Sequence, residues 1–151
     1  MDDIDRHILK ALQEDGRLTN VELADKINLS ASPCLRRVKK LEQTGTIVHY
    51  RANLEREKVG LAMTVFVDVT LDKHSSQIID EFEQAIIAMP NIISCFMVSG
   101  AGDYRLEIVA KDLKHYEQVL KQVQALPNIK GINSNFAIRA VKSAATLPLP
   151  Y

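Results

Sequence analysis

The chain carries no excess of charge of either sign: 19 Lys and Arg are matched by 19 Asp and Glu, for a formal net charge of zero. That balance argues against a protein that coats nucleic acid through a generally basic surface. It leaves room for a local basic patch, so the distribution of charge matters more than its sum. Cysteine is scarce. Cys34 and Cys95 lie far apart, and a single bridge would be no disulfide framework. No apolar run approaches the roughly 18 residues that span a bilayer. The acidic start, Met1-Asp2-Asp3-Ile4-Asp5, has no apolar h-region, so no signal peptide is expected. These absences predict a cytoplasmic protein with reduced thiols and no membrane partner. The four histidines, His7, His49, His74 and His115, show no metal-ligand spacing. No His–carboxylate or Cys–His set presents itself either, so no catalytic residue, metal or cofactor is expected, and an enzyme is disfavoured.

The composition that remains is that of an ordinary globular protein, with 46% apolar and 25% charged residues in 151. Two periodicities divide the chain, with the boundary expected near residue 60: a first domain over 1–60 and a second over 61–151. In the first, Ile4, Ile8, Leu9, Ala11 and Leu12 form a stripe at helical spacing, with Asp2 or Asp3 as cap and Gly16 where the helix ends. Thr19-Asn20-Val21-Glu22 has the spacing of a capping box, with Leu18 and Leu23 as a hydrophobic staple. Asn28 stands where the chain must turn. A third helix is expected from Ser32 as N-cap with Pro33 at its first position, burying Leu35, Val38 and Leu41 and ending at Gly45. Ile47 to Tyr50 reads as a strand.

In the second domain, Leu61, Met63, Val65, Val67, Val69 and Leu71 alternate with Thr64, Asp68 and Thr70, which predicts a strand. Helices follow at about 75–89 and 112–126, and strands at about 92–98, 104–110 and 130–138. Met89-Pro90-Asn91-Ile92 recurs 37 residues later as Leu126-Pro127-Asn128-Ile129. Two strand–helix–turn–strand units in tandem give βαββαβ, the ferredoxin-like arrangement. Segment 92–98 reads as apolar on both faces, and Phe66 points to the otherwise polar side of the first strand. A large exposed apolar face is disfavoured in a monomer, so sheet-to-sheet dimers or larger assemblies are expected.

The neutral total conceals a pattern. Residues 1–31 hold four basic and seven acidic side chains, whereas residues 32–44 hold Arg36, Arg37, Lys39 and Lys40 against Glu42 alone. A capped helix, a short turn and a basic helix form a helix-turn-helix pattern, whose second helix enters the major groove of double-stranded DNA. Ser30, Ser32, Arg36 and Arg37 are then candidates for base or phosphate contact, and Lys39, Lys40 and Arg51 for phosphates. The turn Gly100-Ala101-Gly102-Asp103 is no dinucleotide fingerprint, because no third glycine and no helix follow it. Its backbone N–H groups suit a small carboxylate and Asp103 an ammonium group, a pairing that fits a free amino acid.

The segments Asp3–Leu9, Gly16–Ala24, Leu29–Glu42, Gly45-Thr46-Ile47 and Ser99–Tyr104 together resemble the Lrp/AsnC, or feast/famine, transcriptional regulators over nearly the whole chain. The resemblance implies an α+β protein: an N-terminal winged helix-turn-helix, a linker strand, and a C-terminal ligand-sensing and oligomerising ferredoxin-like (RAM) domain. It implies binding to promoter DNA, with localisation at the nucleoid, and homodimers that assemble to octamers. An amino-acid effector would sit between dimers near Gly100, Ala101, Gly102, Asp103 and Tyr104, with Ser134 and Thr146 completing the pocket. Leucine, methionine, cysteine or another amino acid would fill it. The competing expectation is an architectural, chromatin-like protein that wraps DNA with little sequence preference.

Overall fold

The computed structural model describes residues 1–143 and 145–150. The chain forms two units: Met1–Asn53, joined by the segment that returns from Lys142, and Leu54–Val141. The division falls earlier than residue 60 because residues 54–60 are tied to the second unit. Arg56 donates to Thr64 Oγ1 at 2.8 Å and to Glu107 Oε1 at 2.9 Å, and its carbonyl accepts from Leu61 N–H.

In the first unit, α1 (Asp3–Glu14) starts from a capping box in which Asp2 and Asp5 cap each other's backbone N–H groups. α2 (Asn20–Lys26) starts from the Thr19/Glu22 box that its sequence spells out. Asn28 closes the turn after α2 with φ 53°, the left-handed region that asparagine tolerates. α3 (Ala31–Gln43) begins two residues before its expected start: Ser30 is the N-cap, and Pro33 lies inside the first turn. Proline is tolerated there because the N–H groups of that turn have no intrahelical acceptor. Ile8, Leu9, Ala11, Leu23, Ala24, Cys34 and Leu41 make the core. Leu35 does not join it. The inward stripe is Cys34, Val38 and Leu41, and Leu35, about 100° round the helix from Cys34, is 42% exposed.

The strand expected at 47–50 does not form, and Val48 is 78% exposed. A strand needs a hydrogen-bonded neighbour, and none is present for this segment among the described residues. The returning segment has its own attachment. The Gln13 side-chain amide donates to Leu147 O at 3.2 Å and accepts from Leu147 N–H at 2.6 Å; Arg6 Nε donates to Pro150 O at 2.9 Å. Leu149 packs on the helical core.

In the second unit, β1 (Met63–Leu71), α4 (Ser76–Ile87), β2 (Ile92–Met97), β3 (Tyr104–Ala110), α5 (Leu113–Gln124) and β4 (Ile129–Phe136) follow in order. The sheet order is β2-β3-β1-β4 with antiparallel neighbours throughout, the ferredoxin-like βαββαβ topology. Val65, Val67, Val69 and Leu71 pack with Phe82 and Ile86 of α4 and Tyr116, Val119 and Val123 of α5. Burying each such side chain contributes roughly 1.5–3 kcal/mol, so this alternation fixes which face of β1 is inside. The internal repeat is visible in the backbone. Asn91 O accepts from Val109 N–H, and Asn128 O accepts from Asp72 N–H. Both the acceptors and the donors lie 37 residues apart, as in the sequence repeat.

β2 departs from simple alternation. The register with β3 shifts between Ile92 and Ser94, so Ile92 and Cys95 both pack on the core while Phe96 turns outward. The outer face of the sheet is also more polar than expected. Asp68 and Arg105 face each other across β1 and β3, and Asn135 donates to Asp68. Among the described residues, exposed aromatic surface on it is confined to Phe66 and Phe96.

Candidate functional site

Two surfaces carry the chemistry. The first lies on α3. Its sequence places Cys34, Val38 and Leu41 inward and so turns Ser32, Arg36, Lys39 and Lys40 to solvent. Among the described residues none of these three cations forms a salt bridge. The N-terminus of α3 also differs from those of α1 and α2: no side chain caps it, and no acidic residue stands in its first turn. A helix start of this kind keeps its partial positive charge available to an anion. Asn20 Nδ2, at the start of α2, donates to Ala31 O at 2.7 Å and ties the beginnings of the two helices together.

Arg37 is placed differently from its neighbours. It points back across the domain, where Nη1 lies 2.7 Å from Asp2 Oδ2 and 2.8 Å from Asp5 Oδ1. These bonds raise its pKa, and Arg37 in turn helps the Asp5 backbone N–H hold the Asp2 carboxyl below the usual range. The guanidinium expected at DNA is thus engaged in joining α3 to α1. Ser30 contributes its carbonyl to the first turn, and its side chain makes no cap bond. Arg51 is exposed on the extended segment after α3. Burial raises the Cys34 thiol's pKa, in keeping with a packing role.

The second surface is the turn between β2 and β3. Val98 N–H donates to Asp103 O, and Asp103 N–H donates to Val69 O. Between them the N–H groups of Ser99, Gly100, Ala101 and Gly102 find no acceptor among the described residues. Gly100 adopts φ 130°, which an L side chain rarely reaches. Gly102 lies close over β1, where a Cβ would stand in ordinary contact, 3.6 Å, with both Asp68 Cβ and Val69 O. The Asp103 carboxylate accepts from Leu71 N–H at 2.7 Å and lies 2.9 Å from His74 Nε2. The Leu71 N–H, then His74, hold its carboxyl below the ordinary value.

An open groove of about 540 Å3 adjoins this turn, lined by Ala101 and Gly102 together with Asp68, Thr70, Arg105 and Asn133. Arg105 grips Asp68 with Nε at 2.8 Å and Nη2 at 3.1 Å. Three expected ligand residues are elsewhere. Tyr104 is buried on the helix side of the sheet, 4.7 Å centroid to centroid from Phe82, and its hydroxyl donates to Glu83. Ser134 also faces the helices, bonded to the Tyr116 hydroxyl. Both follow from strand alternation, which turns every second side chain away from the groove. Thr146 lies in the first unit, in a groove along α1 with Asp3, Arg6 and His7. His74, Asp68, Arg105 and Asn133 carried no ligand signal in the sequence: Asp68 stands opposite Arg105 on β3 and Asn133 on β4, and His74 reaches the turn through Asp103.

Residues 64–147 match the model of the Lrp/AsnC ligand-binding domain, and residues 1–48 match a winged helix-turn-helix DNA-binding model. The Bkd operon transcriptional regulator of Pseudomonas aeruginosa is 41% identical over 150 residues, covering 99% of this chain and 98% of that protein. The leucine-responsive regulatory protein of Rhizobium meliloti is 38% identical, covering 99% and 96%. A transcriptional regulator of Neisseria meningitidis, solved in complex with L-Met, superposes with a TM-score of 0.93 at 35% identity, covering 98% of this chain and 96% of that one.

Proposed function

As the chain belongs to the Lrp/AsnC family of DNA-binding transcriptional regulators, none of whose two domains is catalytic, we propose that α3 enters the major groove of promoter DNA and that the β2–β3 turn receives a free amino acid. The exposed, unpaired Arg36, Lys39 and Lys40 on a helix with an open, acid-free N-terminus carry the DNA half of this reading. Ser30, Ser32 and Arg36 meet base edges or the nearest phosphates, and Lys39, Lys40 and Arg51 hold the backbone. Arg37 serves binding indirectly, by fixing α3 against α1.

At the turn, the unpartnered N–H groups from Ser99 to Gly102 receive the effector carboxylate. Asp103, kept ionised by Leu71 N–H and His74, has lone pairs left for the ammonium group. Tyr104 supports the turn from within the core, and Ser134 acts only through Tyr116. The L-Met complex of the Neisseria regulator supports an amino acid as the class of effector.

Homodimers that assemble further, up to octamers, complete this reading. Phe66 and Phe96, exposed on the outer sheet face, support that face as the contact surface. A dimer presents two copies of α3 to grooves about one helical turn, roughly 34 Å, apart. The effector acts by binding one assembly better than another. Location at the nucleoid in the cytoplasm follows from this function.

A thermal-shift screen of the twenty amino acids, followed by gel shifts with and without the stabilising ones, tests the proposal. A bound effector raises the melting temperature by linkage. A chain that no amino acid stabilises, and whose specific and non-specific DNA affinities are equal, would fit DNA wrapping instead. Specific regulators separate these affinities by about 10³ or more.

A further inference from the structure

Leu35 is an apolar side chain on the wrong side of its helix for packing. Its predecessor Cys34 is fully buried, and the core stripe continues through Val38 and Leu41, but Leu35 is 42% exposed. A single exposed leucine means little by itself. Its company gives it meaning. At helical spacing its neighbours are Ser32, three residues earlier, and Lys39, four residues later, with Arg36 about 100° round the helix from it. It therefore stands in the first two turns of α3, within the polar and cationic surface described above.

The chemistry of the groove then narrows what such a side chain meets. The major-groove edges of the base pairs display hydrogen-bond donors, acceptors and one apolar group, the thymine C5-methyl. A leucine brought against donors and acceptors would desolvate them without replacing their bonds, which is costly. Against a thymine methyl it buries apolar surface on both sides.

We propose that Leu35 is a specificity-determining residue that reads thymine through its methyl group, beside the polar contacts of Ser32 and Arg36. This rests on α3 being the helix that enters the groove. Loss of the contact weakens binding by about fourfold per methyl, the value of one buried methyl-sized group.

The test uses full-length protein and duplexes enriched by it from a random-sequence pool. Each duplex is made again with deoxyuridine in place of thymine, which removes the methyl alone. Wild type is expected to bind the thymine duplex about fourfold tighter per contacted site, Leu35→Ala to bind both alike, and Leu35→Gln to select duplexes with adenine enriched at those positions. Alanine favours the helix, so the fold is not at stake. Equal binding of both duplexes by wild type, or undiminished discrimination by Leu35→Ala, overturns the proposal. Arg36→Ala and Lys39→Ala, run in parallel, separate the two levels. If neither weakens binding, the assignment of α3 fails and this proposal with it; if they do and Leu35→Ala still discriminates, the Leu35 proposal alone fails.

Discussion

Arg37 of α3 lies with Nη1 2.8 Å from Asp5 Oδ1, and Asp5 is at the same time the residue that caps the Asp2 backbone N–H at the start of α1. One guanidinium therefore fastens the basic helix to the first turn of α1. Arg37→Ala is expected to lower the melting temperature of the first unit and to weaken specific and non-specific DNA binding together. Oligomerisation, proposed above for the outer sheet face of the other unit, is expected to stay as it is. Arg37→Lys should restore part of the loss, because both carboxylates are met by the single nitrogen Nη1, a contact that an ammonium group can also make. Differential scanning calorimetry and sedimentation on the two variants check this.

The cations on the solvent face of α3 predict something different. Arg36→Ala and Lys39→Ala should leave the melting temperature close to that of the wild type. Each should reduce the slope of log binding constant against log salt by about one if it neutralises one phosphate. Gel shifts at several salt concentrations separate these variants from Arg37→Ala.

Asp103 gives a pH dependence with a definite sign. Its folded pKa lies below the ordinary 3.8, chiefly through Leu71 N–H and then His74. A depressed carboxyl contributes stability above the unfolded pKa and loses it as pH falls through the folded one. Melting of the second unit should therefore be level near neutral pH and fall below about pH 4. Asp103→Asn should flatten part of that acid fall. It should also abolish stabilisation by the effector amino acid while leaving DNA binding in place, which calorimetric titration and gel shifts measure.

The returning segment predicts a stability effect far away in sequence. Ending the chain after Ser143 removes Leu149 from the helical core and both bonds to Gln13. The first unit should lose about 1–2 kcal/mol, with faster hydrogen exchange in α1, and the second unit should be unaffected. Gln13→Ala should reproduce the smaller, polar part of that loss.

Local chemistry was legible in the sequence where residues close together decide the outcome. The Thr19/Glu22 box, the left-handed Asn28 and Gly45, and the alternation of β1 all appear in the structure as expected. The βαββαβ order was legible because the repeated Pro-Asn-Ile turns mark where each helix gives way to a strand. What was not legible depends on distant partners. Arg37 looked like its basic neighbours until α1 packed beside it. Tyr104 and Ser134 were expected at the ligand through the family resemblance, Tyr104 beside the glycine turn and Ser134 on the last strand, yet the phase of β3 and β4 turns them inward. The bulge at Ile93 shifts β2 by one residue, which no alternation count anticipates. The groove residues Asp68 and Arg105 needed the strand register before they could be paired.

The packing of Leu149 against α1 also orders events in the making of the protein. The helices of the first unit leave the ribosome early, but the piece that finishes their core is translated only after the entire ligand-binding domain. Until then, the surface of α1 that Leu149 will cover stays open in the nascent chain. The helical core of the DNA-reading unit is thus completed only after the sensing domain has been translated.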